Sequence, residues 1–125
     1  MALKIITVSL SASGNLVVDP DECCVDAENG VTSRLVWVLD DHGTDARFVL
    51  PNDGKGEGFK WQGAVNSNIF GDAHLIGRGK VIIANDHHHD AGTNHRQPYT
   101  LLALDPTTGR THTSGRPRDP VIINK

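Results

Sequence analysis

The run Asn85-Asp86-His87-His88-His89-Asp90 concentrates metal-ligand chemistry, and His95 follows five residues later. Neutral imidazole is the commonest transition-metal ligand. On an extended chain successive side chains alternate, so His87 and His89 project to one side and His88 to the other. His95, returning along the same loop, would supply a third nitrogen. Asp90 or Asp86 would supply an oxygen, or a hydrogen bond that orients a ring from behind. Two or three imidazoles with a carboxylate suit Zn, Ni or Cu(II). The expected metal set is therefore His87, His89, His95 and Asp90. The competing expectation is a polar surface loop, because three consecutive histidines make no recognised ligand frame and the affinity of a His-rich tract is compositional.

Other groups point to less. Asp40, Asp41, His42 and Asp45 follow an apolar run. Carboxylates around a histidine raise its pKa or bind a hard cation, but Asp is also an ordinary turn former. Asp72 with His74 is a weaker pair. No Gly-x-Ser-x-Gly motif is present. Gly54, Gly56 and Gly58 lack the Gly-Lys-Ser/Thr ending of a phosphate loop. The two cysteines, Cys23 and Cys24, are adjacent, closer than ordinary disulfide geometry allows. On a strand one thiol faces inward and the other outward. Asp21, Glu22 and Asp26 make a poor setting for a reactive thiolate. No catalytic residue and no organic cofactor site is therefore expected.

The elements that must position these groups are short. The 125 residues suffice for a single domain spanning 1–125, with one core. A net charge of -3 gives no basic footprint for nucleic acid; Arg110, Arg116 and Arg118 are diluted by Asp105 and Asp119. No stretch approaches the roughly 20 apolar residues of a membrane span. Thr7 and Ser9 interrupt the N-terminal apolar run, which suits a strand better than a signal peptide. With unbridged cysteines, the expected location is cytoplasmic.

Ser33 to Asp40, S-R-L-V-W-V-L-D, holds five bulky apolar residues in a row and reads as a central strand covered on both faces. Leu3 to Leu10 and Leu16 to Asp19 read as strands, and Cys23 to Ala27 as extended chain. Asn29-Gly30 is a turn. Ala46 to Leu50, Phe59 to Trp61, Gly79 to Asn85, Pro98 to Asp105, Arg110 to Thr113 and Asp119 to Asn124 complete the strands. Pro51 to Gly58 and Asp86 to Gln97 read as long polar loops. Gly63 to Gly77 has no clean period. No segment sustains a 3.6-residue apolar repeat. Short strands with frequent turn signals predict an all-β, antiparallel two-sheet sandwich. The expected core is Ile6, Leu35, Trp37, Val81, Ile83 and Leu101.

The layout resembles the cupredoxin-like sandwich. An early strand, an extended segment after Pro20, Asn29-Gly30, the Trp-bearing strand Leu35-Val36-Trp37-Val38-Leu39 and a late hairpin strand entered at Tyr99 carry the likeness. An immunoglobulin-like sandwich matches nearly as well. A blue-copper site needs two His, a Cys thiolate and usually a Met. Here the cysteines stand too early and the only Met is Met1, so the resemblance implies a copper-less relative.

Two functions follow as expectations. The first is a non-enzymatic binding module whose end loops meet an unknown protein partner. The second is a metal-binding protein, in one form a metal-dependent enzyme, built on His87, His89 and His95. An exposed sheet edge near Val121 to Ile123 would allow a homodimer.

Overall fold

The computed structural model describes residues 2–40, 44–90, 92–115 and 118–125. Asp41, His42 and Arg116, named above, lie outside the described residues. Eleven strands form among those that are described: β1 Ala2–Leu10, β2 Leu16–Asp19, β3 Glu22–Val25, β4 Ser33–Asp40, β5 Arg47–Phe48, β6 Phe59–Trp61, β7 His74–Ile76, β8 Val81–Asp86, β9 His95–Asp105, β10 Arg110–Thr113 and β11 Val121–Asn124. They make two sheets. One has the order β2-β1-β4-β8-β7; the other runs β10-β9-β11-β3, with β5 and β6 also paired to β9.

The fold is all-β with two sheets, as the strand spacing predicts, and both sheets are mixed. Most ladders are antiparallel, but β1 pairs β4 in parallel and β11 pairs β3 in parallel. Neither pair can be joined by a tight hairpin, so the chain crosses between the sheets to make them. The hairpin turn signals in the sequence report only local pairings, which is why these two ladders were not expected.

The core lies between the sheets. Ile6, Val8, Leu35, Trp37, Ile82 and Ala84 from one sheet meet Val25, Phe48, Phe59, Tyr99, Leu101 and Ile122 from the other. Trp37 is its centre: its ring lies 4.7 Å from Phe59 and 5.3 Å from Tyr99 between centroids. Such contacts add to the area term of aromatic burial. Trp61 and Phe70 extend the cluster, 4.8 Å apart.

β4 is the middle strand of its sheet, but only one face is covered. Ser33, Leu35, Trp37 and Leu39 are buried, whereas Arg34 and Asp40 are exposed and Val36 and Val38 half-exposed. The outer face continues onto β1, where Leu3 and Ile5 are each 58% exposed. The core assignments in β8 also shift by one residue. Trp37 pairs with Ile82 and Leu35 with Ala84, so Ile82 and Ala84 point inward while Val81 and Ile83 are half-exposed. The run Val81-Ile82-Ile83-Ala84 is apolar throughout and cannot choose its own face; the register with β4 does.

One further expectation is corrected. Val121 to Ile123 is no sheet edge: β11 lies between β9 and β3, and all four of its residues are buried. Pro51 to Gly58 is a loop, as expected, and its first residues are tied down. Pro51–Asp53 forms a short 3₁₀ turn in which Asp53 accepts from Leu50 N at 2.6 Å and pairs with both guanidinium ends of Arg47 at 2.8 and 2.9 Å. Cys23 is buried and Cys24 exposed, with neither in a disulfide, as expected from strand alternation.

Candidate functional site

The histidine run leaves the sheet at the end of β8. Its neighbours are the turn at residues 66–71 and the segment around Gly30. Asn66 builds that first turn: its carbonyl accepts from Ile69 N and Phe70 N, and its side-chain oxygen accepts from Asn68 N at 2.9 Å. Asn favours such turns because its side chain imitates a backbone acceptor. The turn is then tied to β8. Gly71 N donates to Asn85 O at 2.9 Å, and His87 N donates to Ile69 O at 2.6 Å. On the other side, Gly30, with φ of 81°, donates its N–H to His88 O at 3.0 Å.

The three histidines separate. His87 and His89 line one open cleft of about 670 Å³ together with Asn66, Ser67, Asn68 and Ile69. Their ring centroids stand 6.4 Å apart. His87 Nδ1 lies 3.1 Å from Thr32 Oγ1, which fixes the ring and leaves Nε2 as its other polar atom. His88 turns inward and is fully buried. It adopts a left-handed backbone, φ 53°, uncommon for a residue with a side chain. Three contacts hold it there. Its N–H donates to Asp86 Oδ1 at 3.0 Å, its carbonyl accepts from Gly30, and its Nε2 lies 2.7 Å from the Lys125 main-chain oxygen. That oxygen can only accept, so Nε2 carries the proton.

The other expected ligands are placed elsewhere. His95 opens β9 and its ring lies 6.3 Å from Phe70. Asp90 is engaged by Asn124, whose Nδ2 donates to Asp90 Oδ1 at 2.8 Å and to Asp86 Oδ1 at 2.9 Å. Neither His95 nor Asp90 lines the cleft. Among the described residues, no three His, Cys, Asp or Glu side chains cluster closely enough to hold a metal ion. His74 is exposed on β7, and Asp72 and His74 line a small surface depression with Arg34 and Asn85.

Burial governs the electrostatics behind the cleft. Asp86 is fully buried, and desolvation pushes its carboxyl above the ordinary range. The bond from Asn124 and the His88 N–H oppose that rise, and the neighbouring Asp90 charge adds to it. Removing a carboxylate from water disfavours its charged form, which sets the direction.

Four residues of this region escape a motif search. Asn66, Ser67 and Asn68 look like ordinary turn formers, and their signal is only their polarity before Ile69-Phe70. Asn124 has a clearer one: it is the polar residue closing the apolar run Val121-Ile122-Ile123, where a buried amide requires partners.

The cleft can accept and donate hydrogen bonds through two imidazoles, two carboxamides and a hydroxyl. No protein-family model matches the chain, and comparison with curated proteins and with solved structures finds no match.

Proposed function

We propose that this chain is a non-enzymatic binding module. Its ligand is a polar surface of a partner protein, taken in the cleft between residues 66–69 and the His87–His89 run. The observation that supports this reading is the sharing of one open cleft by His87 and His89 with Asn66, Ser67 and Asn68. These groups offer both donors and acceptors at the end of a rigid sandwich, the usual seat of recognition. The two-sheet all-β architecture is compatible with a copper-less relative of the cupredoxin-like sandwich, or with an immunoglobulin-like one. The test is affinity capture with the wild-type chain beside an Asn66→Ala, Asn68→Ala, His87→Ala, His89→Ala variant, followed by calorimetry on each identified partner. Loss of binding in the variant supports the module. A partner held equally by both chains overturns it.

A second reading rests on the same two rings. His87 is oriented by Thr32 through one ring nitrogen, the arrangement that commonly prepares a metal-ligating histidine. A Zn, Ni or Cu ion bound by His87 and His89 would then complete its shell from the cleft or from a partner. Elemental analysis of tag-free protein, with and without His87→Ala and His89→Ala, distinguishes the two. Stoichiometric metal lost in the double variant favours the ion. Protein without metal and without a thermal shift on adding zinc removes it.

A further inference from the structure

Behind the cleft, Asp86, Asp90 and Asn124 present oxygens that the fold does not satisfy. Asp86 Oδ2, Asp90 Oδ2 and Asn124 Oδ1 are all buried and find no hydrogen-bond partner among the described residues. Asp86 and Asn124 are fully buried residues. Among the described residues, no lysine or arginine forms an ion pair with either carboxylate. One group joins the two: Asn124 Nδ2, 2.9 Å from Asp86 Oδ1 and 2.8 Å from Asp90 Oδ1. The head of a buried carboxamide therefore sits between two carboxylates, with its own oxygen unused. Ser33, opposite Asp86 in the β4–β8 ladder, has a buried hydroxyl that also lacks a partner. A native fold rarely leaves so many polar atoms of one small region unpaired, and a buried pair of carboxylates needs a proton or a cation.

We propose that Asp86, Asp90 and Asn124 form a binding site for a hard divalent cation of the calcium type. A half-turn of the Asn124 amide exchanges its nitrogen and oxygen. The oxygen then stands where the nitrogen is now, about 3 Å from one oxygen of each carboxylate. Adjacent ligands around calcium have that spacing, because its bonds to oxygen are about 2.3–2.6 Å. The donor set is all oxygen, which suits calcium rather than zinc or copper. Asp90 is half-buried as a residue, whereas Asp86 and Asn124 are fully buried. The cation would tie β8, the 87–90 turn and β11 together from behind the cleft. This site is separate from the cleft and does not depend on the binding-module reading.

The test is calorimetric titration of chelator-treated, tag-free protein with calcium chloride, paired with thermal unfolding. One calcium per chain and a raised midpoint are expected. Asp90→Asn should weaken binding about tenfold or more, through loss of a charged ligand. The His87→Ala, His89→Ala double variant should bind calcium like the wild type, which separates this site from the cleft. If Asp90→Asn fails to fold, Asn124→Asp takes its place; with a third carboxylate its stability should depend on calcium more strongly than that of the wild type. No heat and no midpoint shift up to about 10 mM calcium, beyond the weakest protein sites, overturns the proposal. Equal affinity in Asp90→Asn, insensitivity of Asn124→Asp, or loss of calcium in the double histidine variant overturns it too.

Discussion

Truncating His87, His88 or His89 should carry very different costs. His88 is fully buried, bonded to Asp86 and Lys125, and packed at a left-handed turn. His88→Ala removes a buried ring and strands the Lys125 oxygen, so urea unfolding should show a loss of about 2–4 kcal/mol. His87→Ala and His89→Ala act on rings open to the cleft and should each change stability by about 0.5 kcal/mol or less. Equal losses at the three positions would contradict the separation of the run. Alternation along an extended chain sets His88 opposite its neighbours, but here the run lies past the end of β8 and the left-handed backbone of His88, φ 53°, makes the separation. The sequence could not show that His88 is held by the main-chain oxygen of Lys125, just past β11, because that contact joins residues far apart. Nor could it show that Asn124, rather than a cleft ion, engages Asp90.

Two titrating groups give stability a pH dependence of opposite sign. Burial raises the carboxyl of Asp86 above its ordinary 3.8, so the folded chain holds that proton longer than the unfolded chain. Its contribution is full below 3.8 and is lost as pH rises through the folded value. In chelator-treated protein, Asp86→Asn should therefore gain stability relative to the wild type as pH rises toward neutrality. His112 is held below its ordinary 6.5 by burial and by Arg110, with Asp105 opposing. Its contribution is present above 6.5 and is lost as pH falls through the folded value. His112→Gln should flatten the acid-side decline. Urea midpoints measured across pH check both, and slopes unchanged by the variants would contradict the assignments.

Between strands, the register of β8 against β4 decides which of two neighbouring isoleucines supports the core. Ile82 is fully buried opposite Trp37, whereas Ile83 is half-exposed opposite Val36. Ile82→Ala should cost about 2–5 kcal/mol and Ile83→Ala about 1 kcal/mol in equilibrium unfolding. The reverse order would mean a one-residue slip of the ladder. Strands with a distinctive pattern were readable from the chain alone: β4 by its apolar run, β1 by the polar Thr7 and Ser9 that interrupt its apolar residues, and β10 at Arg110 to Thr113. β7 and the turn before it were not, since three strand residues between Ala73 and Gly77 carry too short a period. Gly58 shows a similar limit. A Cβ there would stand 2.5 Å from the Val49 carbonyl oxygen, a close approach set by tertiary pairing. Gly58→Ala should lower stability by about 1–3 kcal/mol, read from the same unfolding curves.

For the whole molecule, the two parallel ladders bind distant parts of the chain: β1 to β4, and the C-terminal β11 to β3. The slowest-exchanging amides should therefore lie in β1, β4, β8 and β9, and the fastest in β2, β7 and β10 at the sheet margins. Hydrogen exchange read by NMR checks this, and protection concentrated in the hairpin alone would contradict it. That a sandwich forms was legible in strand spacing. That its sheets are mixed was not, since parallel partners leave no local turn signal. The same organisation places the cleft: β8 delivers the histidine run, the 66–71 turn flanks it, and Asn124 of β11 bonds Asp86 at the end of β8.

The central claim is that one run of three histidines is divided, with two rings facing an open cleft, proposed to bind a partner, and one serving the fold. Carbethoxylation of the native protein, mapped residue by residue by mass spectrometry, tests it most directly. The account predicts rapid modification of His87 and His89, protection of His88, and protection of the first two when a partner occupies the cleft. Modification of His88 at the rate of its neighbours, or partner binding that leaves His87 and His89 fully reactive, would contradict it.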